Sequence, residues 1–170
     1  MIRFENVVKR FDGREVLSGV SFEIAKGEVL AVVGPSGTGK SVLLKHLVRL
    51  LTPTSGRVWL DDVEISAATG NALEAIRARF GYLFQGGALL GWLTVAENVA
   101  LPLRERTRLA SAEIDARVAE ALAAVELTEA ADRYPAEISG GMQKRAGLAR
   151  AIVRRSDIVL YDEQIGRAHV

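Results

Sequence analysis

The chain has 170 residues, 49% of them apolar, which suits one domain with a sizeable core. Its 22 Lys+Arg against 21 Asp+Glu leave a net charge of +1, so no global electrostatic argument points to nucleic acid or an acidic membrane surface. The absence of cysteine excludes disulfides and cysteine–zinc sites and is compatible with a reducing cytoplasm.

The start, "MIRFENVVKRFDGREV", is charged throughout and lacks the apolar core of a signal peptide. No run approaches the roughly 18 apolar residues of a membrane-spanning helix. A soluble chain is expected, with any membrane role supplied by a partner. Short β-branched runs predict strands at Ile2–Val8, Val16–Ile24 and Val29–Val33. A leucine-rich pattern predicts a helix from Val42 to Leu51, ended by the turn residues of "TPTSG". Strands follow at Arg57–Leu60 and Phe80–Phe84. Ser111 is placed to cap a helix running to about Glu126, with Ile114, Val118, Leu122 and Val125 on one face. Ser139 is placed to cap another, through Met142, Ala146, Ala149 and Val153. The last strand is Ile158–Tyr161. "VLAVV" and "IVLY" are apolar without alternation, as in parallel strands covered on both faces. The layout is a strand-rich start, a helical insertion near residues 86–150, and a return to strand.

Between the third strand and the first helix lies "GPSGTGKS", Gly34-Pro35-Ser36-Gly37-Thr38-Gly39-Lys40-Ser41, which fits the phosphate-loop pattern G-x-x-x-x-G-K-[ST]. Its glycines let backbone N–H groups curl around phosphate oxygens, and the helix that follows turns its positive end toward the same anion. Lys40 would reach the β- and γ-phosphates, and the Ser41 hydroxyl would ligate Mg²⁺. A Gly/Ser-rich turn carrying a chance lysine is the bland alternative, and the strand-before, helix-after context weighs against it. A dinucleotide fold has no use for Lys40-Ser41. The loop reads as a nucleoside triphosphate site. After "IVLY" come Asp162 and Glu163. In triphosphatases one carboxylate at such a strand end holds Mg²⁺ and its neighbour can polarise the attacking water.

"ISGGMQKRAGLARAI", residues 138–152, resembles the signature motif of ABC-transporter ATPases, usually written L-S-G-G-Q. "YLFQGG" resembles that family's Q-loop, with Gln85 the matching glutamine, and Phe11 in "KRFDGREVL" matches the aromatic that stacks on adenine. The likeness covers residues 1 to about 163. A narrower resemblance, to the ATPase subunit of Mla-type, MCE-associated lipid transporters, rests on "LFQGGALL", "ENVALPLRERTRL" and Met142 where most ABC ATPases have Gln.

The resemblance implies an α/β fold: a P-loop NTPase (RecA-like) ABC ATPase core with a helical subdomain at about 86–150. It implies two copies closing head to tail over two molecules of ATP. Lys40, Ser41, Gln85 and Asp162 of one copy would hold ATP and Mg²⁺, with Ser41, Gln85 and Asp162 around the metal. Ser139, Gly140 and Gly141 of the other, with Met142 completing the signature motif that acts in trans, would contact the γ-phosphate, and Glu163 would be the general base or water-orienting group. The partners implied are a membrane permease and an MCE-domain protein, on the cytoplasmic face of the inner membrane, with phospholipid as cargo and no nucleic acid. Other cargoes (an amino acid, a metal, a drug), a soluble ABC protein of translation or DNA repair, and a non-catalytic regulatory domain remain alternatives.

The family continues "DEP", then a D-loop, a further strand and a switch histidine; His169 stands too close to Glu163 for that role, and His46 reads as a packing or solvated residue. "IGRAHV" is what ATC GGA AGA GCA CAC GTC encodes, which resembles the start of a common sequencing-library adapter; a proline codon cut after its first C then gives Gln164. Residues 164–170 are therefore expected to be adapter-derived, with residues 1–163 a partial ABC ATPase domain incomplete at its C-terminus. The polypeptide made as written is expected to be insoluble or without ATPase activity.

Overall fold

Asp12 and Gly13 both take positive φ, 47° and 80°. Such a two-residue turn matches the twist of the strands it joins, here β1 (Ile2–Phe11) and β2 (Arg14–Ile24). The computed structural model describes residues 1–162, as two units, Met1–Ala78 and the part from Arg79 onward.

In the first unit β1 lies inside an antiparallel sheet of order β2-β1-β3-β4, with β3 Ser55–Leu60 and β4 Val63–Glu64. Ile2 and Phe4 point into the core and so does Val7, which breaks the alternation of period two. The register shifts between Phe4 and Val7, where Asn6 has φ 47°. A bulge there turns the inward face from even to odd positions. Phe4 stacks on Phe22 at 4.6 Å, and the Trp59 indole N–H donates to Glu5 Oε2 at 3.0 Å. Helix α1 spans Lys40–Leu47 and α2 spans Gly70–Ala78. Arg77 of α2 donates to the carbonyls of Val48 and Arg49, just past the end of α1. A cation there satisfies carbonyls that the helix leaves without partners.

Two sequence expectations change, and α2 stands in a stretch to which no element was assigned. Helix α1 stops at Leu47 rather than Leu51. Val29–Val33 is not a strand: it lies outside both sheets, with Val29 93% and Val33 82% exposed. An apolar run becomes a strand only where neighbours take its N–H and C=O groups, and β1 to β4 pair with one another instead.

The second unit pairs β5 (Phe80–Leu83) with β6 (Ile158–Tyr161) in parallel, in the register Phe80↔Ile158 to Leu83↔Tyr161. Parallel strands need a long crossover, and it carries α3 (Val95–Arg106), α4 (Ser111–Ala124) and α5 (Gly140–Ile152). Their common core includes Val95, Val99, Leu103, Ile114, Val118, Leu122, Ala146, Ala149 and Val153. Each fully buried Val or Leu contributes about 1.5–3 kcal/mol. Helix α3 opens on a capping box, Thr94 with Glu97, a signal present in the sequence as T-V-A-E. Helix α4 is capped by Ala110, not Ser111, because the chain is still extended at Ala110 and its carbonyl already accepts from Ile114 N–H at 3.0 Å. The expected burial of "IVLY" on both faces is not met: Leu160 is buried, while Val159 and Tyr161 are exposed.

Candidate functional site

The phosphate-loop residues belong to the first unit. Gly34 to Gly39 form an exposed irregular loop apart from Gly39, which is buried and has φ 94°. A Cβ on Gly39 would stand 3.0 Å from Leu17 Cδ2 and 3.1 Å from Val16 Cγ1, so glycine lets the loop press against β2 before α1 begins. No side chain caps α1, and its positive end faces the loop. The Lys40 ammonium donates to the carbonyls of Gly34 and Pro35, both at 2.7 Å, and the Thr38 hydroxyl to Pro35 at 2.9 Å. Ser41 follows on the first turn. Phe11 ends β1 beside the hairpin turn, 40% exposed, with the Lys9 ammonium 4.9 Å from its ring centroid.

The other expected residues belong to the second unit. Gln85 opens a short 3₁₀ turn, Gln85–Gly87, at the end of β5. Gly86, Gly87 and Ala88 then take φ of 70°, 80° and 44° in succession. Ser139 caps α5, its Oγ accepting from Met142 N–H at 3.3 Å; Ser139, Gly140 and Gly141 are exposed, and Met142 packs partly against the helical core. Asp162 follows β6 directly. Its N–H donates to Leu83 O at 3.0 Å, and its Oδ2 accepts from the Tyr82 hydroxyl at 3.0 Å. Glu163 and His169 lie outside the described residues, as does the expected tail 164–170. His46 is the packing residue that the sequence allowed: it is 1% exposed, with Nδ1 2.6 Å from Val42 O.

Three supporting side chains were not read from the sequence. Arg150 of α5 donates to Gly87 O at 2.6 Å and to Ala88 O at 2.9 Å, holding the left-handed turn after Gln85. Burial pushes its guanidinium below the ordinary value. Asn98 is fully buried; its amide donates to the carbonyls of Leu90, Leu93 and Thr94 and accepts from Leu90 N–H, fastening the segment that leads into α3. Tyr82 touches Asp162. Its hydroxyl is pushed well above the usual phenol range, first by burial and then by the Asp162 charge. Arg150 and Tyr82 act through residues distant in sequence, whereas Asn98 closes a local loop on Leu90, Leu93 and Thr94.

The residues present fit a nucleotide and Mg²⁺. Gly39 is a cradle position that a Cβ would fill, and an ammonium stands over the loop. Among the described residues no three His, Cys, Asp or Glu side chains form a closed metal cluster. Mg²⁺ ordinarily takes few protein oxygens and completes its shell with phosphate and water, so Ser41 and Asp162 are the right donor types.

The family model described as ABC transporter matches residues 17–166. The chain belongs to the ABC transporter family, as its ATP-binding domain. It is 46% identical over 167 residues to the methionine import ATP-binding protein MetN of Xanthomonas euvesicatoria pv. vesicatoria, covering 96% of this chain and 50% of that protein. It is 44% identical over 162 residues to the probable ribonucleotide transport ATP-binding protein mkl of Mycobacterium leprae, covering 95% and 47%. The ABC chain thus spans about half the length of the curated relatives it matches. A dimeric structure of the ATP-binding cassette MJ0796, in a post-hydrolysis state bound to ADP and Pi, matches with TM-score 0.88 at 34% identity over 95% of this chain and 73% of that one. The fold is that of ABC ATPase cassettes, as the phosphate loop and signature implied. Among the described residues no helix is long and apolar enough to cross a membrane.

Proposed function

We propose that this domain, within the full-length protein, binds and hydrolyses ATP as the ATPase subunit of an ABC transporter, and that the transporter moves phospholipid between bacterial membranes through a separate permease. The observation that carries the ATP reading is Lys40 held over a glycine loop at the uncapped end of α1. Such an end is an anion site, and the ammonium adds a point charge for the outer phosphates. Phe11 would stack on the adenine. Ser41, Gln85 and Asp162 would hold Mg²⁺, which when bound neutralises charge across the phosphate oxygens. Glu163 would orient or deprotonate the attacking water. Ser139, Gly140, Gly141 and Met142 of a second copy would close over the γ-phosphate in a head-to-tail dimer, a reading supported by the dimeric cassette the chain is similar to. The domain would work at the cytoplasmic face of the inner membrane, attached through the permease and served by an MCE-domain protein.

Lipid as cargo is supported by "LFQGGALL", "ENVALPLRERTRL" and Met142. A second reading, an amino acid or nucleotide cargo, is favoured by the relatives named for methionine import and for probable ribonucleotide transport. Calorimetric titration with ATP and Mg²⁺ tests the first claim: saturable binding supports it, and no binding removes it. Sequencing the source DNA through the neighbouring genes tests the second. A permease and an MCE-domain gene alongside support lipid, whereas an amino-acid or nucleotide permease replaces it. The same reads test the adapter origin expected for residues 164–170.

A further inference from the structure

Tyr82 and Asp162 are 80 residues apart in sequence, and the parallel pairing of β5 with β6 makes them neighbours. In that register Leu83 stands beside Tyr161, and the Asp162 N–H donates to Leu83 O. The main chain of Asp162 is thereby fixed to the end of β5. Its side chain is fixed by a different bond, from the Tyr82 hydroxyl to Oδ2 at 3.0 Å. The Tyr82 ring also lies against Phe84, with centroids 4.1 Å apart and planes 28° apart, a contact separate from the hydroxyl bond. Tyr82 and Phe84 share a face because they are two apart in an extended segment. Phe84 directly precedes Gln85.

We propose that Tyr82 is a positioning residue for the Asp162 carboxylate, setting the plane in which that carboxylate meets Mg²⁺. The inference rests on the proposed reading of Asp162 as a Mg²⁺-binding group. A phenol hydroxyl suits this task because it donates one bond, carries no charge, and sits on a ring with few rotamers. A lysine in its place would neutralise the carboxylate and compete with the metal. The arrangement is of the kind in which an outer hydrogen bond orients a metal-binding carboxylate and tunes its affinity.

The test is the Mg²⁺ dependence of ATP binding, measured on the purified full-length protein without turnover. ATP affinity is determined in EDTA and across a Mg²⁺ titration for the wild type, Tyr82→Phe, Phe84→Leu and Asp162→Asn. Tyr82→Phe keeps the ring and removes only the hydroxyl. It should leave affinity in EDTA unchanged and raise the Mg²⁺ concentration for half-maximal effect by about tenfold. Phe84→Leu, which keeps the hydroxyl, should leave that concentration at the wild-type value, and Asp162→Asn should raise it at least as far as Tyr82→Phe. The inference is overturned if Tyr82→Phe matches the wild type while Asp162→Asn is shifted, or if Phe84→Leu shifts as far as Tyr82→Phe. If Asp162→Asn itself leaves the Mg²⁺ titration unchanged, the reading of Asp162 fails, and Tyr82 loses its role with it.

Discussion

Helix α1 begins at a glycine-rich loop and α5 opens on two glycines of its own, and the two starts are finished in opposite ways. The start of α1 has no side-chain cap, a left-handed glycine at its N-cap, and a lysine ammonium lying across the loop carbonyls. The start of α5 is capped by its own Ser139 hydroxyl, and its body is fastened to the turn after Gln85 at Gly147 and Arg150. A helix end left uncapped keeps its positive dipole for a ligand, at some cost in stability of the bare chain. A helix capped and pinned is instead a rigid element that can present a fixed surface. On the proposed reading the contrast is between a binding end and a delivering end, and substitutions on the two helices should separate in the same way.

The largest effect is expected from Lys40→Ala. Its two bonds go to exposed loop carbonyls, so folding stability should barely change. Charge-assisted hydrogen bonds contribute about 1.5–3 kcal/mol, so ATP affinity should fall about tenfold to 150-fold, at about 1.4 kcal/mol per factor of ten. Calorimetry of both proteins checks this, and equal affinities would break the assignment of α1 as the binding end. On α5 the damage should be to stability. A Cβ on Gly147 would stand 2.7 Å from Gly87 Cα, 2.8 Å from Leu83 Cδ1 and 3.1 Å from Gly87 O. The leucine tip can rotate, but the Gly87 backbone is held by Arg150 and must move. Gly147→Ala should therefore cost about 1–3 kcal/mol in urea denaturation, the usual range for overpacking. No loss would mean that the turn is not seated on the helix.

Ser139→Ala sharpens the comparison with a smaller effect. Loss of an N-cap hydroxyl costs about 0.5–2 kcal/mol, and the 3.3 Å bond at an exposed site belongs at the low end. Ser139→Asp should restore the stability. Because Ser139 is proposed to serve a second copy's nucleotide, ATP affinity of the single domain should match the wild type in both variants. A weaker affinity would place Ser139 at its own nucleotide and refute the head-to-tail reading.

The same helices show why some of the molecule was legible and some was not. "GPSGTGKS" and "ISGG" combine local turn chemistry with a helix start, and both helices begin within a residue or two of where those patterns put them. The core face of α4, Ile114, Val118 and Leu122, followed from periodicity alone. "VLAVV" and "IVLY" carry the same local signal and diverge because strand formation depends on a neighbour that periodicity cannot see. "IVLY" has β5 beside it; "VLAVV" lies outside both sheets. Helix α2 was missed because "GNALEAIRA" offers few large apolar residues, with Ile76 its one buried position. Tyr82, Asn98 and Arg150 escaped for a third reason. The partners of Tyr82 and Arg150 lie in other segments, and the loop that Asn98 closes on Leu90, Leu93 and Thr94 matches no recognised capping pattern.

The smallest effect concerns His46, one turn beyond Ser41 on α1, and depends on pH. Burial lowers its pKa most, and the Lys9 ammonium lowers it further; the bond between Nδ1 and the Val42 carbonyl opposes both without cancelling them. Lys9 donates to Thr52 O at 2.7 Å, which keeps its charge on this side of the helix. In the unfolded chain His46 takes up a proton near pH 6.5, whereas the folded chain resists it. The unfolded state therefore binds more protons, and stability falls as pH drops through that value and on through the folded pKa. Melting of the wild type should show a larger loss between pH 7 and pH 5.5 than melting of His46→Leu, which keeps the buried volume and removes the proton site. Other titrating groups are common to both proteins and drop out of the difference. If the two lose stability equally, His46 does not set the acid limit of the first unit. If the variant is flatter, the helix that carries the phosphate loop is sensitive to acid through its buried face rather than through the loop.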